Sequence, residues 1–146
     1  MTCLPLIGLA ILLTAVSVED WRRFRIPNRL VMGVAALALL EAWATGREPG
    51  WIGAAAVFAA MTVLYACGIM GGGDVKLMSA CALLFPQNLP GFLFFTSCAG
   101  GLLACGWLGL GLARGLKVRR VPYGAAIGAG ALTQLGLNFF KGLAAG

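Results

Sequence analysis

The sequence predicts an all-α fold, a polytopic membrane protein built as one bundle of six transmembrane helices. Three observations point there. Apolar residues make up 60% of the 146 positions and charged residues 11%, with a mean hydropathy of +0.91. A soluble domain is about one quarter charged, so this chain cannot cover a water-facing globule. The apolar residues fall into six runs separated by proline- and glycine-containing turns, and the basic residues collect in alternate connections.

The runs are residues 4–18, 30–44, 51–70, 75–85, 91–113 and 121–140. About 20 apolar residues cross a bilayer core as a helix. Runs three, five and six reach that length; runs one, two and four are short. Run four alone would be partial or re-entrant, and a sixth span requires it to be tilted, thinned or extended through its polar flanks. Pro27 suits the start of the second helix, where a missing N–H costs nothing, and Pro122 suits the start of the last. Glu48-Pro49-Gly50, Pro86-Gln87-Asn88 and Pro90-Gly91 read as turns. No linker, low-complexity tail or second domain is visible, so residues 1–146 read as one domain. The first run lacks a basic flank before it and leads straight into Glu19-Asp20, which argues against a cleaved signal peptide.

Arg22, Arg23, Arg25 and Arg29 lie in the first connection, Lys76 in the third, and Arg114, Lys117, Arg119 and Arg120 in the fifth. Only Arg47 and Lys141 fall on the other side. The positive-inside rule then puts both chain ends outside and the odd connections in the cytoplasm. The net charge of +6 is accounted for by orientation and anionic head groups, with no call on nucleic acid. Cys3, Cys67, Cys81, Cys98 and Cys105 form no C-x-x-C pair. They read as small apolar residues rather than a zinc site or a disulfide framework. No metal or cofactor is expected.

Asp20 ends the first apolar run, and Asp74 opens the fourth after Gly71-Gly72-Gly73, in a chain with no histidine and five acidic residues. Ionisable groups at membrane segments are costly and default to function. The topology places both on the cytoplasmic face, which suits acid–base chemistry between two carboxyl groups. The triple glycine admits backbone conformations closed to other residues and lets an extended chain approach Asp74; alone, it reads equally as a flexible turn. The spacing of a phosphate-binding loop is absent. Glu41 and Glu48 fall on the outer face as solvated groups. Glu19 points away from Asp20, since adjacent helical residues diverge by about 100°. Lys76 orients the site or anchors at the interface. Gly124 and Gly128 form a small-xxx-small pair expected at a close helix contact.

Three segments carry a family resemblance. Asp20-Trp21-Arg22-Arg23-Phe24-Arg25-Ile26-Pro27-Asn28 resembles the Asp-to-Ile-Pro-Asn segment of type IV prepilin peptidases. Gly71-Gly72-Gly73-Asp74-Val75-Lys76-Leu77 is similar to their G-x-G-D-x-K-L signature, and Val121-Pro122-Tyr123-Gly124-Ala125-Ala126-Ile127 to their late Pro-Tyr/Phe-Gly segment. The resemblance implies a G-x-G-D aspartyl protease of the inner (cytoplasmic) membrane. It cleaves the leader of a small pilin-like substrate, with Asp20 and Asp74 as the catalytic pair. Gly71, Gly72, Gly73, Lys76, Pro122, Tyr123 and Gly124 would shape the site. The paired cysteines of the long, methylating form are missing. The chain therefore looks like the short form found with tight-adherence (Flp-type) pili, which implies cleavage without N-methylation. The implied partners are the bilayer and a prepilin with a basic leader; an oligomer stays open.

Two like charges in close proximity do not both ionise cheaply, so such a pair shares a proton. Asp74 begins a helix and Asp20 ends one, so the helix dipole favours Asp74 as the ionised base and Asp20 as the acid. Two other readings stand beside the protease: a proton-coupled transporter subunit, and a non-catalytic scaffold of a pilus or secretion assembly.

Overall fold

The computed structural model describes residues 3–114 and 121–144, with side chains for residues 6–110 and 121–141. Among the described residues there are six helices: α1 (Cys3–Arg23), α2 (Asn28–Ala44), α3 (Trp51–Ala66), α4 (Gly72–Ala82), α5 (Leu89–Arg114) and α6 (Tyr123–Ala144). No strand occurs among the described residues. The six runs therefore became six helices, with shifted ends.

The shifts have local causes. α3 stops at Ala66, short of the expected residue 70. Gly68 turns left-handed at φ +74°, its N–H bonding the Tyr65 carbonyl at 2.9 Å. Only glycine takes that conformation without cost. Pro27 is the N-cap of α2 rather than its first residue, and its carbonyl accepts from the Leu30 N–H at 3.1 Å. Pro90 and Gly91 lie inside the first turn of α5, not in a loop; proline is tolerated there because no N–H is needed.

Among the described residues, one helical segment, Leu89–Leu110, is by itself long and apolar enough to cross a membrane, and Trp51–Ala66 is a shorter apolar helix. α6 has the length, but Gln134, Asn138 and Lys141 dilute its apolar character. α4 has 11 residues and so rises about 16 Å, roughly half of a ~30 Å hydrocarbon core.

α4 is nevertheless central: seven of its residues are buried, including Asp74, Leu77, Met78 and Cys81. It packs against α2, α3 and α6; α6 also meets α1 and α5, and α1 meets α2. On α1 the buried residues Leu6, Leu9, Leu13, Val16 and Asp20 recur at three- and four-residue spacing. Asp20 thus continues the stripe that faces the bundle.

Where lipid offers apolar surroundings anyway, helices associate through close approach at small residues. The expected α6 contact is of that kind. A Cβ on Gly128 would run into Ser17 Oγ and lie 3.2 Å from the Leu13 carbonyl oxygen. A Cβ on Gly130 would likewise lie 2.7 Å from N and Cα of Thr96 on α5. Glu41 departs from expectation. It is 5% exposed rather than solvated, because it shares the inner stripe of α2 with Val31, Val34 and Ala38. Glu48 is exposed.

Candidate active site

One end of the bundle gathers the end of α1, the start of α2, the α3–α4 turn, the second half of α5 and the start of α6. Between them lies a cleft of about 650 Å³. Asp20 and Asp74 both line it. Phe24, Arg25 and Ile26 form one wall, Gly68 to Gly73 another, and Ala104, Leu108, Val121 and Tyr123 the remainder. The two aspartates thus stand at the same end of the fold, as the charge pattern predicts.

Each carboxylate sits at a helix N-terminus, where four backbone N–H groups lack intrahelical partners. Asp74 is the third residue of α4, and its Oδ2 accepts the Gly71 N–H at 3.1 Å. Asp20 belongs to α1 but reaches across to α6: its Oδ2 accepts the Ala125 N–H at 3.3 Å, and the Gly124 N–H also faces it. This removes the asymmetry drawn from the sequence. Asp20 ends its own helix, yet it meets the positive end of another that lies more than a hundred residues later.

Both carboxyls lie outside the apolar runs 4–18 and 75–85, at their ends. Asp74 is pushed up to about 6, first by burial and then by the negative charge of Asp20, with the Gly71 N–H pulling the other way. Burial also raises Asp20, opposed by the N–H groups of Gly124 and Ala125. Two backbone donors support ionised Asp20 and one supports Asp74. This balance of donors runs against the argument from helix ends.

Gly71, Gly72 and Gly73 line the cleft, but not for the conformational reason expected. Gly71 has φ −81° and ψ 147°, ordinary extended backbone, and Gly72 and Gly73 are helical. What they supply is room. A Cβ at Gly71 would come 3.1 Å from Asp74 Oδ2, and one at Gly73 3.2 Å from Ile26 Cβ. Gly124 is tighter: a Cβ there would lie 2.8 Å from Asp20 Oδ2 and 2.7 Å from Ile26 Cδ1. Pro122 is fully buried just before α6. Tyr123 lines the cleft.

Lys76 is exposed and does not line the cleft; its Nζ donates to Asn28 Oδ1 at 3.3 Å, fastening α4 to the start of α2. Glu19 turns away from the cleft and pairs with Arg23 at 3.0 Å. Lys117, Arg119 and Arg120 lie outside the described residues, as does the side chain of Arg114.

Sequence reasoning missed Phe24, Ile26, Ala104 and Leu108 as cleft residues. Phe24 takes φ +50°, a left-handed conformation costing a non-glycine residue roughly 1–2 kcal/mol. Its ring rests on Trp107, 6.4 Å between centroids, and Trp107 also meets Trp21 at 5.3 Å. Nothing in the residue type announces this, and Ala104 and Leu108 look like any lipid-facing position. Ile26 carried a signal, since it sits within the segment that Asp20 opens.

Among the described residues, no group of three or more His, Cys, Asp or Glu is placed to hold a metal ion. No curated protein and no solved structure matches the chain. A family model does: that of the type IV leader peptidase family, over residues 7–105, about two thirds of the chain. The match spans both aspartates and the triple glycine and stops before Pro122-Tyr123-Gly124. The chain therefore belongs to the type IV leader peptidase family, whose members are aspartic-type peptidases acting on prepilin-type substrates.

Proposed function

We propose that this protein is a membrane aspartyl endopeptidase of the G-x-G-D class that removes the leader of Flp-type prepilins at the cytoplasmic membrane face, without N-methylation. The observation that carries the reading is the pair Asp20 and Asp74, two buried carboxyls in one cleft whose charges interact. Asp20, held by the α6 N-terminus, is the ionised base. Asp74, pushed up to about 6, holds the proton.

The chemistry follows from that division. A water between the carboxyls gives a proton to Asp20 as its oxygen attacks the scissile carbonyl. Asp74 donates its proton to the carbonyl oxygen, so no free oxyanion forms. The tetrahedral diol then collapses: its C–N bond breaks, the leaving nitrogen takes the proton from Asp20, and a diol hydroxyl returns one to Asp74. Every proton is accounted for and the pair regains its starting state. Cleavage falls at low pH as Asp20 protonates and falls again as the pH rises past Asp74's value of about 6; the limbs belong to the pair jointly.

The wider reading is a six-span protein of the inner membrane with both termini outside, and Arg25 in the cleft wall, with Arg22, Arg23 and Arg29 in the same connection, supports that orientation. Apolar cleft residues such as Ile69, Met70 and Leu108 suit the start of the substrate's hydrophobic helix. The test is cleavage of a co-expressed Flp-type prepilin by wild type, Asp20→Asn and Asp74→Asn, read by gel mobility and N-terminal mass. Wild type alone should remove the leader and leave an unmethylated N-terminus. Cleavage by both variants refutes the pair, and a methyl on the product refutes the short-form reading.

A further inference from the structure

Ile26 lies between the two helix ends that hold the carboxylates. Its Cβ stands 3.2 Å from the position of a Cβ at Gly73, the residue before Asp74 on α4. Its Cδ1 stands 2.7 Å from the position of a Cβ at Gly124, whose N–H faces Asp20 on α6. One side chain thus fills the space between two glycine surfaces, each one step from an aspartate. Either glycine, given a side chain, would push the wedge or be pushed by it.

The strap that carries Ile26 is fastened at several points. Phe24 N–H bonds the Asp20 carbonyl at 2.8 Å, and its ring leans on Trp107 of α5. Pro27 fixes the next backbone angle at −65°. Asn28 is tied to Lys76 of α4 at 3.3 Å. Ile26 is therefore not free to drift, and its bulk reports to both carboxyl-bearing ends at once.

We propose that Ile26 is a positioning residue that sets the spacing between Asp20 and Asp74 by acting as a spacer between the α4 and α6 N-termini. The inference rests on the reading of these aspartates as the catalytic pair. A residue that merely fills the core would alter stability when trimmed, but leave the coupling of the two carboxyls alone. A spacer, when trimmed, lets the ends close in, and the repulsion between the carboxyls grows.

The other charged or titratable groups near the pair stay constant across the test. Glu19 is held by Arg23 on α1, Arg25 lines the cleft from the strap, Tyr65 of α3 lies beside Gly72, Lys76 of α4 turns to Asn28 of α2, and Tyr123 lines the cleft from α6. The wall from α5 gives Ala104 and Leu108, and the α3–α4 turn gives Gly68, Ile69 and Met70, none titratable.

The experiment measures kcat, KM and the pH profile of prepilin cleavage by the detergent-purified protein. The variants are Ile26→Val, Ile26→Ala, Gly124→Ala and the double variant Ile26→Val/Gly124→Ala, with Asp20→Asn and Asp74→Asn alongside. Ile26→Val removes only Cδ1, the atom facing Gly124, and keeps the Cβ facing Gly73. It should fold and lose about threefold to tenfold in kcat with KM unchanged, given that a 1 Å misplacement costs about a hundredfold. Ile26→Ala should lose more, and in both the limbs of the pH profile should move apart. In the double variant the new methyl enters space that Cδ1 has left. Gly124→Ala should therefore cost at least about threefold less there than in wild type, since groups in contact are not additive. Ile26 variants with the wild-type pH profile, or strictly multiplicative effects in the double variant, overturn the spacer while leaving the aspartates catalytic. Cleavage by Asp20→Asn and Asp74→Asn removes the pair itself, and the spacer with it. Should Ile26→Ala fail to fold, Ile26→Val and the double variant decide the matter.

Discussion

Alanine at each of the four glycines around the aspartates should produce a graded loss whose order differs from what the sequence signature suggests. The added methyl meets very different surroundings. At Gly72 the nearest atom is Tyr65 Cε2 at 3.5 Å, ordinary contact; at Gly73 it is Ile26 Cβ at 3.2 Å; at Gly71 it is Asp74 Oδ2 at 3.1 Å. At Gly124 it is Ile26 Cδ1 at 2.7 Å, with Asp20 Oδ2 at 2.8 Å. Gly72→Ala should keep full activity and gain up to about 1 kcal/mol of helix propensity. Gly73→Ala and Gly71→Ala need neighbours to yield by a few tenths of an ångström and should lose severalfold. For Gly124→Ala, opening the contacts to ordinary separation moves the Asp20 carboxyl or the α6 end by about 0.6 Å, beyond the roughly 0.5 Å tolerance of a catalytic group. With 1 Å worth about a hundredfold, kcat should fall between about tenfold and a hundredfold. The moved N–H groups also support ionised Asp20 less, so the acid limb of the profile should shift to higher pH. The assay is initial cleavage rate with substrate titration, beside thermal unfolding of each variant. A Gly72→Ala as damaging as Gly124→Ala would show that the glycines serve the substrate directly. A silent Gly124→Ala would show that α6 does not hold Asp20 in place.

Other expectations concern stability and the residues around the site. Asp74 binds its proton more tightly folded (about 6) than unfolded (3.8). Its contribution is therefore full below 3.8 and lost as pH rises through about 6, worth about 3 kcal/mol; denaturation in detergent should show that fall in wild type and a smaller one in Asp74→Asn, where Asp20 alone stays raised by burial. Gly130→Ala drives a methyl into the Thr96 backbone and should destabilise by about 1–3 kcal/mol, seen as a lower melting temperature; an unchanged one would mean α5 and α6 separate freely. Lys76→Met breaks a single exposed bond to Asn28 and should leave cleavage within about threefold, since such surface contacts are worth about 1 kcal/mol or less; total loss of cleavage would put the lysine on the substrate.

The six helices were legible because apolar runs and turn residues are local features. Asp20 and Asp74 stood out because charges at apolar boundaries are rare, and alternate basic connections put them at one end. The partner of Asp20 was not legible. Its backbone donors lie at Gly124 and Ala125, and backbone N–H groups leave no trace in residue type. The helix-end argument was incomplete for that reason: it counted the helix Asp20 belongs to and not the one it faces. The triple glycine invited a conformational explanation, whereas its backbone angles are ordinary and only the crowding at Asp74 and Ile26 explains it. Glu41 misled because a carboxylate in a short apolar run looks solvated until its face of the helix is known.

The dependence of Asp20 on α6 also has a consequence in time. Synthesis delivers Asp20 with the first helix and Asp74 with the fourth, but the N–H groups that hold Asp20 arrive with the sixth. A nascent chain stalled after α5 would carry both carboxyls and the signature glycines, yet lack the helix end that organises them. On the proposed reading, hydrolysis waits for α6, because the pair stays unorganised until the helix end that holds Asp20 has joined the bundle.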